Sequence, residues 1–254
     1  ANAQSEDNRA HREALEAHAS ELAEWEKMKD LALGVLKGRP ESYLKAIVEL
    51  SPFSELATIG SNLEFAAHSP ALLEVVLRTN GRKAVPSEVK SLTASGKLSV
   101  KAMPKGRFVE VYQDYVCGCV LRVARELFAL LPIQTLLVSA TVEALDTSIG
   151  QEAERPFLSV VIPRARLEAL DFDRLDPSDT VMDMRHRGDL AASKKTGEFG
   201  FIEPLAAVDI RVDAAQTDDL TKLLADARRL RAELAEAVGA ATPSQPDAPA
   251  IDGD

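Results

Sequence analysis

The stretch from Tyr112 to Leu130 leaves this chain little choice about its interior. Tyr112, Tyr115, Val116, Cys119, Val120, Val123, Leu127 and Leu130 recur at three- and four-residue steps, and between Val116 and Leu131 only Arg122, Arg125 and Glu126 carry charge. The spacing predicts a helix over 107–131, ended by Pro132, with an apolar surface too wide for water. It must pack across a sheet. Strands to form that sheet are expected at Leu63–Ala67 and Leu72–Arg78, separated by a Ser69-Pro70 turn, and at Thr135–Leu145 and Phe157–Pro163. The last two, joined by a charged linker containing Gly150, should pair antiparallel. Asn80-Gly81 predicts a hairpin from Leu72–Thr79 into Arg82–Val85, since both turn residues tolerate positive φ. A turn at Ser95-Gly96 leads into a further strand, Lys97–Ala102.

Short helices are expected at Arg164–Leu170 and Pro177–Met184, and a charged, Gly-containing loop over 185–204. Val208, Ile210 and Val212 alternate with Asp209, Arg211 and Asp213, the pattern of a half-buried strand. The fold class is therefore α+β: an antiparallel or mixed sheet on a long buried central helix, with amphipathic helices at both ends.

The N-terminal helix is expected over 5–37. Leu15, Ala19, Leu22, Trp25, Met28, Ala32 and Val35 form a narrow stripe among Glu, Arg, His and Lys, and Gly38 and Pro40 end it. A shorter helix should follow over Glu41–Leu50. Thr217, Asp218 and Asp219 open a C-terminal helix with the stripe Leu220, Leu224, Ala227, Leu230, Leu234 and Ala237. The expected organisation is a cloning remnant at 1–3, helix at 4–38, core at 39–213, helix at 214–239 and a disordered tail at 240–254. Ala1-Asn2-Ala3 reads as that remnant, ahead of a fragment of a longer protein.

A formal charge of −10 argues against attraction to nucleic acid over the whole surface, though it leaves room for a local basic patch. No run of about 18 apolar residues exists, so no membrane span is expected. Cys117 and Cys119, on an apolar helix and pointing nearly opposite ways, read as small buried residues of a reducing, cytoplasmic compartment. No phosphate loop, dinucleotide turn or zinc spacing occurs, so neither cofactor nor metal is expected.

The element order resembles that of the restriction-endonuclease-like core, where an acid on the second strand and an acid-x-Lys pair on the third hold a divalent cation. The nearest match is Glu74 with Glu88-Val89-Lys90. Glu88 follows Pro86 in a stretch that reads as a turn, and the better strand carries Ser99-Val100-Lys101, without the acid. One such tripeptide is also common by chance. Lys97, Lys101, Lys105 and Arg107 lead into the central helix and are candidates to hold an anion there; the plainer reading is a solvated charged rim. Arg122, Arg125 and Glu126 suggest a buried ion-pair network with a partner such as Asp114. His11 and His18 should be exposed, His68 lies at a turn with no acid nameable from sequence, and His186 falls in the charged loop.

Three runs are specific enough to suggest a family: Gly96–Lys105 (GKLSVKAMPK), Tyr112–Pro132 (YQDYVCGCVLRVARELFALLP) and Leu170–Asp179 (LDFDRLDPSD). They resemble the C-terminal region of an uncharacterised bacterial family whose full-length members begin with a short Gly-rich β domain of unknown function. The resemblance covers roughly residues 40–205 and implies no activity, cofactor or catalytic residue. The expected function is a non-catalytic binding or assembly module that meets a protein partner or a second copy through its terminal helices. The alternative is a metal-dependent nuclease, or a degenerate descendant, using Glu74, Glu88, Lys90 and Lys101. Nucleic acid is a less favoured partner, and no membrane is expected.

Overall fold

Two helices open the chain, α1 over Asn2–Leu36 and α2 over Pro40–Leu50. This computed structural model describes residues 2–50, 53, 62–146, 150–193, 199–211 and 229. Between the helices the backbone reverses through Gly38 at φ +68°. Arg39 N–H reaches the Gly34 carbonyl and Gly38 N–H the Val35 carbonyl, which caps the orphan carbonyls of α1.

Next come β1 (Asn62–Ser69) and β2 (Leu72–Thr79), a 3₁₀ turn (Gly81–Ala84), β3 (Glu88–Leu92) and β4 (Leu98–Ala102). The central helix, α3, covers Lys105–Leu130. It is followed by β5 (Thr135–Asp146), β6 (Gln151–Pro163), the short helices α4 (Arg164–Glu168) and α5 (Pro177–Met182), β7 (Arg185–Arg187) and a 3₁₀ turn at Ala207–Asp209. The chain divides into two compact units, Ala1–Asp213 and Ala214–Asp254. Of the second, only Arg229 is described, so the expected C-terminal helix and tail lie outside the described residues.

The five-stranded sheet is mixed, in the order β1-β2-β5-β6-β7. β2 pairs antiparallel with β1 and parallel with β5, and β5–β6 and β6–β7 are antiparallel. A parallel neighbour demands a long crossover. The chain makes it through the 3₁₀ turn, the β3–β4 hairpin and α3.

The expected Asn80-Gly81 hairpin is thereby overturned. Both edges of β2 are taken by β1 and β5, so Arg82–Val85 has no edge to pair with. Gly81 does take a positive φ of +58°, where an added Cβ would lie 2.9 Å from the Val142 side chain.

α3 is sunk as its sequence requires. Val116, Cys117, Val120, Val123, Ala124 and Leu127 are fully buried, and they meet Leu73, Val75 and Leu77 of β2, Leu136, Val138 and Ala140 of β5, and Leu158, Val160 and Ile162 of β6. Burial, aided by Asp114 and Asp176, pushes the Cys117 thiol up to about 12, so it stays protonated and inert. α2 packs against α1, β1 and α3. Its Tyr43, fully buried, donates to the Pro70 carbonyl at 2.8 Å, and burial pushes that phenol up to about 12.

The expected buried ion-pair network does not include Arg125. Arg125 is exposed and lies 5.2 Å over the Phe172 ring, a cation–π contact at the rim. Its long stem reaches the edge of the helix and leaves the charge in water.

The opposite face of the sheet is covered by a thinner layer, in which Leu205 and Ile210 pack on Leu72, Leu137 and Val161. The strand expected at 208–212 is not formed over its described part, 208–211. Val208 is 90% exposed on a 3₁₀ turn while Ile210 faces the sheet. Arginine side chains take the place of a neighbouring strand: Arg187 donates to the Glu203 and Pro204 carbonyls and Arg185 to that of Asp209. Residues 185–187, expected as loop, form the edge strand β7. Gly188 (φ +93°) turns the chain away where an added Cβ would fall 2.2 Å from the Phe157 carbonyl oxygen.

Candidate functional site

A cleft of about 450 Å³ opens at the carboxyl end of β2, beside the first turns of α3. Its inner wall is aromatic because the chain's few rings gather there. Tyr112 and Phe199 stack at 5.0 Å between centroids, and Phe157 lies 5.6 Å from Phe199. Arg155 covers Phe201 at 4.8 Å. The rings spend their faces on one another and fasten residues 199–201 to the sheet.

The mouth carries Arg78, Lys83, Glu143 and Glu152. Arg78 Nε donates to Glu154 Oε2 at 2.9 Å, a second guanidinium nitrogen reaches the same carboxylate, and the Thr141 hydroxyl donates to its other oxygen. The guanidinium holds the Glu154 carboxyl below its ordinary range, with help from Thr141, and Glu154 in turn raises Arg78. Thr79 spends its hydroxyl on the Thr141 carbonyl at 3.0 Å. None of these lining residues was a candidate site residue from sequence, although Tyr112 and the Asn80-Gly81 turn were named for their structural roles. The available signal was compositional: Phe157, Phe199 and Phe201 are three of eight Phe, and Tyr112 one of three Tyr, in a chain poor in rings.

No family model, no curated protein and no solved structure matches this chain.

The acids and lysines considered for a nuclease fall apart in space. Glu74 lies on β2 in the five-stranded sheet, where its partner is His68 on β1, the acid that the sequence could not name. Glu88 and Lys90 lie on β3, a strand where a turn was expected, but in a separate two-stranded sheet with β4. Within that hairpin Lys90 pairs with Val100 and Lys101 with Val89, so the two lysines occupy opposite faces. Among the described residues no three His, Cys, Asp or Glu side chains converge to hold a metal ion. Lys97, Lys101, Lys105 and Arg107 are all exposed, with Arg107 paired to Glu110 at 3.2 Å. His11 and His18 are exposed, and His186 shares a hydrogen bond with the Met184 carbonyl at 2.8 Å.

Two elements stand out from the body instead. On α1 every residue from Asn8 to Met28 is exposed, including Leu15 (54%), Leu22 (49%), Trp25 (59%) and Met28 (44%). Only its last turns, through Leu31 and Val35, enter the core. The second is the β3–β4 hairpin, with Leu92, Leu98 and Val100 in water. No helix among the described residues is long and apolar enough to cross a membrane.

Proposed function

We propose that this chain is a non-catalytic assembly module of a larger bacterial protein, and that it self-associates through the projecting part of α1. The observation that carries this reading is the exposed stripe Leu15, Leu22, Trp25 and Met28, on the part of α1 that precedes Lys29 and touches the body through the Lys27–Glu49 ion pair at 3.3 Å. Most of a helix's stability in proteins comes from packing an apolar face, and the exposed part of α1 lacks that packing. Pairing two such faces removes that deficit.

The spacing suits a second copy. Leu15 lies seven residues before Leu22 and Met28 six after it, so the stripe reads nearly the same in both directions. An antiparallel twin about a two-fold axis near Leu22 sets Leu15 against Met28 and Trp25 against His18 and Ala19. One patch serves both partners.

Sedimentation velocity over a wide concentration range tests the proposal. A concentration-dependent dimer is expected, lost in Leu22→Ser/Trp25→Ser. A monomer at every concentration, or a dimer untouched by that double substitution, overturns it.

A further inference from the structure

The charge of this acidic chain is distributed very unevenly. Residues 82–107 hold seven Lys or Arg against the single acid Glu88, a net of +6, whereas the whole chain carries −10. The remaining 228 residues therefore carry −16. The β3–β4 hairpin itself carries Lys90, Lys97 and Lys101 against Glu88, and the other four cations flank it at 82, 83, 105 and 107; the hairpin forms its own two-stranded sheet with every residue of β3 exposed. Solvation of a hairpin needs charge, but not charge of one sign. Like charges crowded onto one ribbon repel each other, and that cost is relieved by an anionic partner.

We propose that the β3–β4 hairpin is an arm that binds double-stranded DNA, entering the major groove. Three features support a duplex groove over a flat anionic surface. First, the cations lie on both faces: Lys90 shares a face with Val100, Lys101 shares the other with Val89, and Lys97 follows the tip. A ribbon in a groove meets phosphates on both sides, whereas a flat surface meets cations on one face alone. Second, the ribbon has the right size, because the B-DNA major groove, about 12 Å wide, admits a two-stranded β-ribbon. The deep, narrow major groove of A-form RNA does not.

Third, the arm ends in a hydrogen-bonded turn and carries groups that suit base edges. Thr93 N–H donates to the Lys97 carbonyl at 2.9 Å, Gly96 N–H to the Thr93 carbonyl at 2.9 Å and Lys97 N–H to the Thr93 hydroxyl at 3.1 Å, which closes the turn. Gly96 at φ +75° supplies the reversal. Ser91 and Ser99 face each other along the ribbon, and their hydroxyls can donate or accept. Leu92 (76% exposed) and Leu98 (63%) pair at the tip, where apolar side chains contact thymine methyls or wedge base steps. Lys105 and Arg107 stand at the base of the arm. The acidic remainder repels the phosphates, so contact is confined to this one ribbon.

The inference is independent of α1, since dimerisation and DNA binding reside on different elements and fail separately. The test is fluorescence anisotropy of a labelled mixed-sequence B-DNA duplex titrated with the full chain across a salt series. Affinity is expected to fall linearly with salt on logarithmic axes. Lys90→Gln/Lys97→Gln/Lys101→Gln should weaken binding at least tenfold at the lowest salt and flatten that slope by about 3, at roughly 0.9 for each phosphate left without its cation. The charge-keeping Arg substitutions at the same three positions should retain both. Because the arm is exposed, both triple variants should melt as the parent does; the Arg variant guards against a folding artefact. No binding to the duplex at low salt overturns the proposal, as does a Gln variant that binds like the parent. Equal affinity for an RNA duplex, or binding to phosphatidylserine vesicles without binding to DNA, overturns it as well.

Discussion

α1 and α3 are the two long helices among the described residues, at 35 and 26 residues, and both carry apolar side chains at helical spacing. They meet very different surroundings. α3 has a broad apolar surface with few charges and buries most of it against the sheet and the neighbouring helices, down to zero exposure at Val116, Val120 and Val123. α1 has a stripe one residue wide among charged neighbours, and over Asn8–Met28 it finds nothing in the described chain to cover it. Helical periodicity predicts a helix, whereas the width and charge density of the apolar face predict whether that helix is core or connector. The β3–β4 hairpin repeats the lesson against β5 and β6: all have strand-forming residues, but only the last two are apolar on the face that meets α3.

The largest expected effect contrasts the two helices directly. Leu127→Ala, in the fully buried face of α3, should cost about 3 kcal/mol by transfer and cavity formation. Urea denaturation followed by far-ultraviolet dichroism measures it; a loss below about 1 kcal/mol would place α3 outside the core.

Next comes the joint between α1 and the body. Gly38→Ala puts a Cβ in the left-handed region and 2.6 Å from Pro70 Cβ. A cost of about 1–3 kcal/mol is expected in the same assay, with the Tyr43–Pro70 hydrogen bond nearby disturbed. An unchanged midpoint would mean that the reversal is not needed to hold α1 in place.

A smaller effect belongs to the sheet face behind the cleft. Glu154 is held below its ordinary carboxyl value of 4.5 by Arg78. Its contribution is full above that value and is lost as pH falls through the lower folded one. The stability gap between the parent and Glu154→Gln should therefore close on acidification through this range. As both side chains are partly in water, the gap should stay smaller than the Gly38→Ala effect. A gap that widens toward low pH would reverse the assignment. Smallest of all, Trp25→Ser should leave the stability of the body within about 0.5 kcal/mol while abolishing self-association.

Much of this fold was legible in the sequence because burial writes a periodic pattern. α3, the β5–β6 pair, the helical end at Gly38 and the short helices near 164 and 177 all follow from spacing, Gly and Pro. What failed were inferences from local turn chemistry and short alternation. Asn80-Gly81 has the conformation of a hairpin turn, but the pairing of β2 with β1 and β5 is a long-range fact that no dipeptide contains. Val208 and Ile210 alternate as a strand would, yet it is the Arg185 side chain that donates to a backbone carbonyl of this stretch, that of Asp209. The arm was half legible. Lys97, Lys101, Lys105 and Arg107 drew notice as a cluster, but β3 was read as a turn after Pro86, which hid the ribbon on which Lys90 and Lys101 take opposite faces. The aromatic cleft was not legible, because Tyr112, Phe157 and Phe199 meet only through tertiary structure.

Concentration-dependent hydrogen exchange on the full chain tests the central division most directly. Amides of α3 and β5 should exchange only through global unfolding at any protein concentration. Those of residues 8–28 should exchange fast in dilute solution and gain protection as the protein is concentrated. Protection of residues 8–28 that matches α3 at every concentration would contradict the account, as would fast exchange there that concentration never slows.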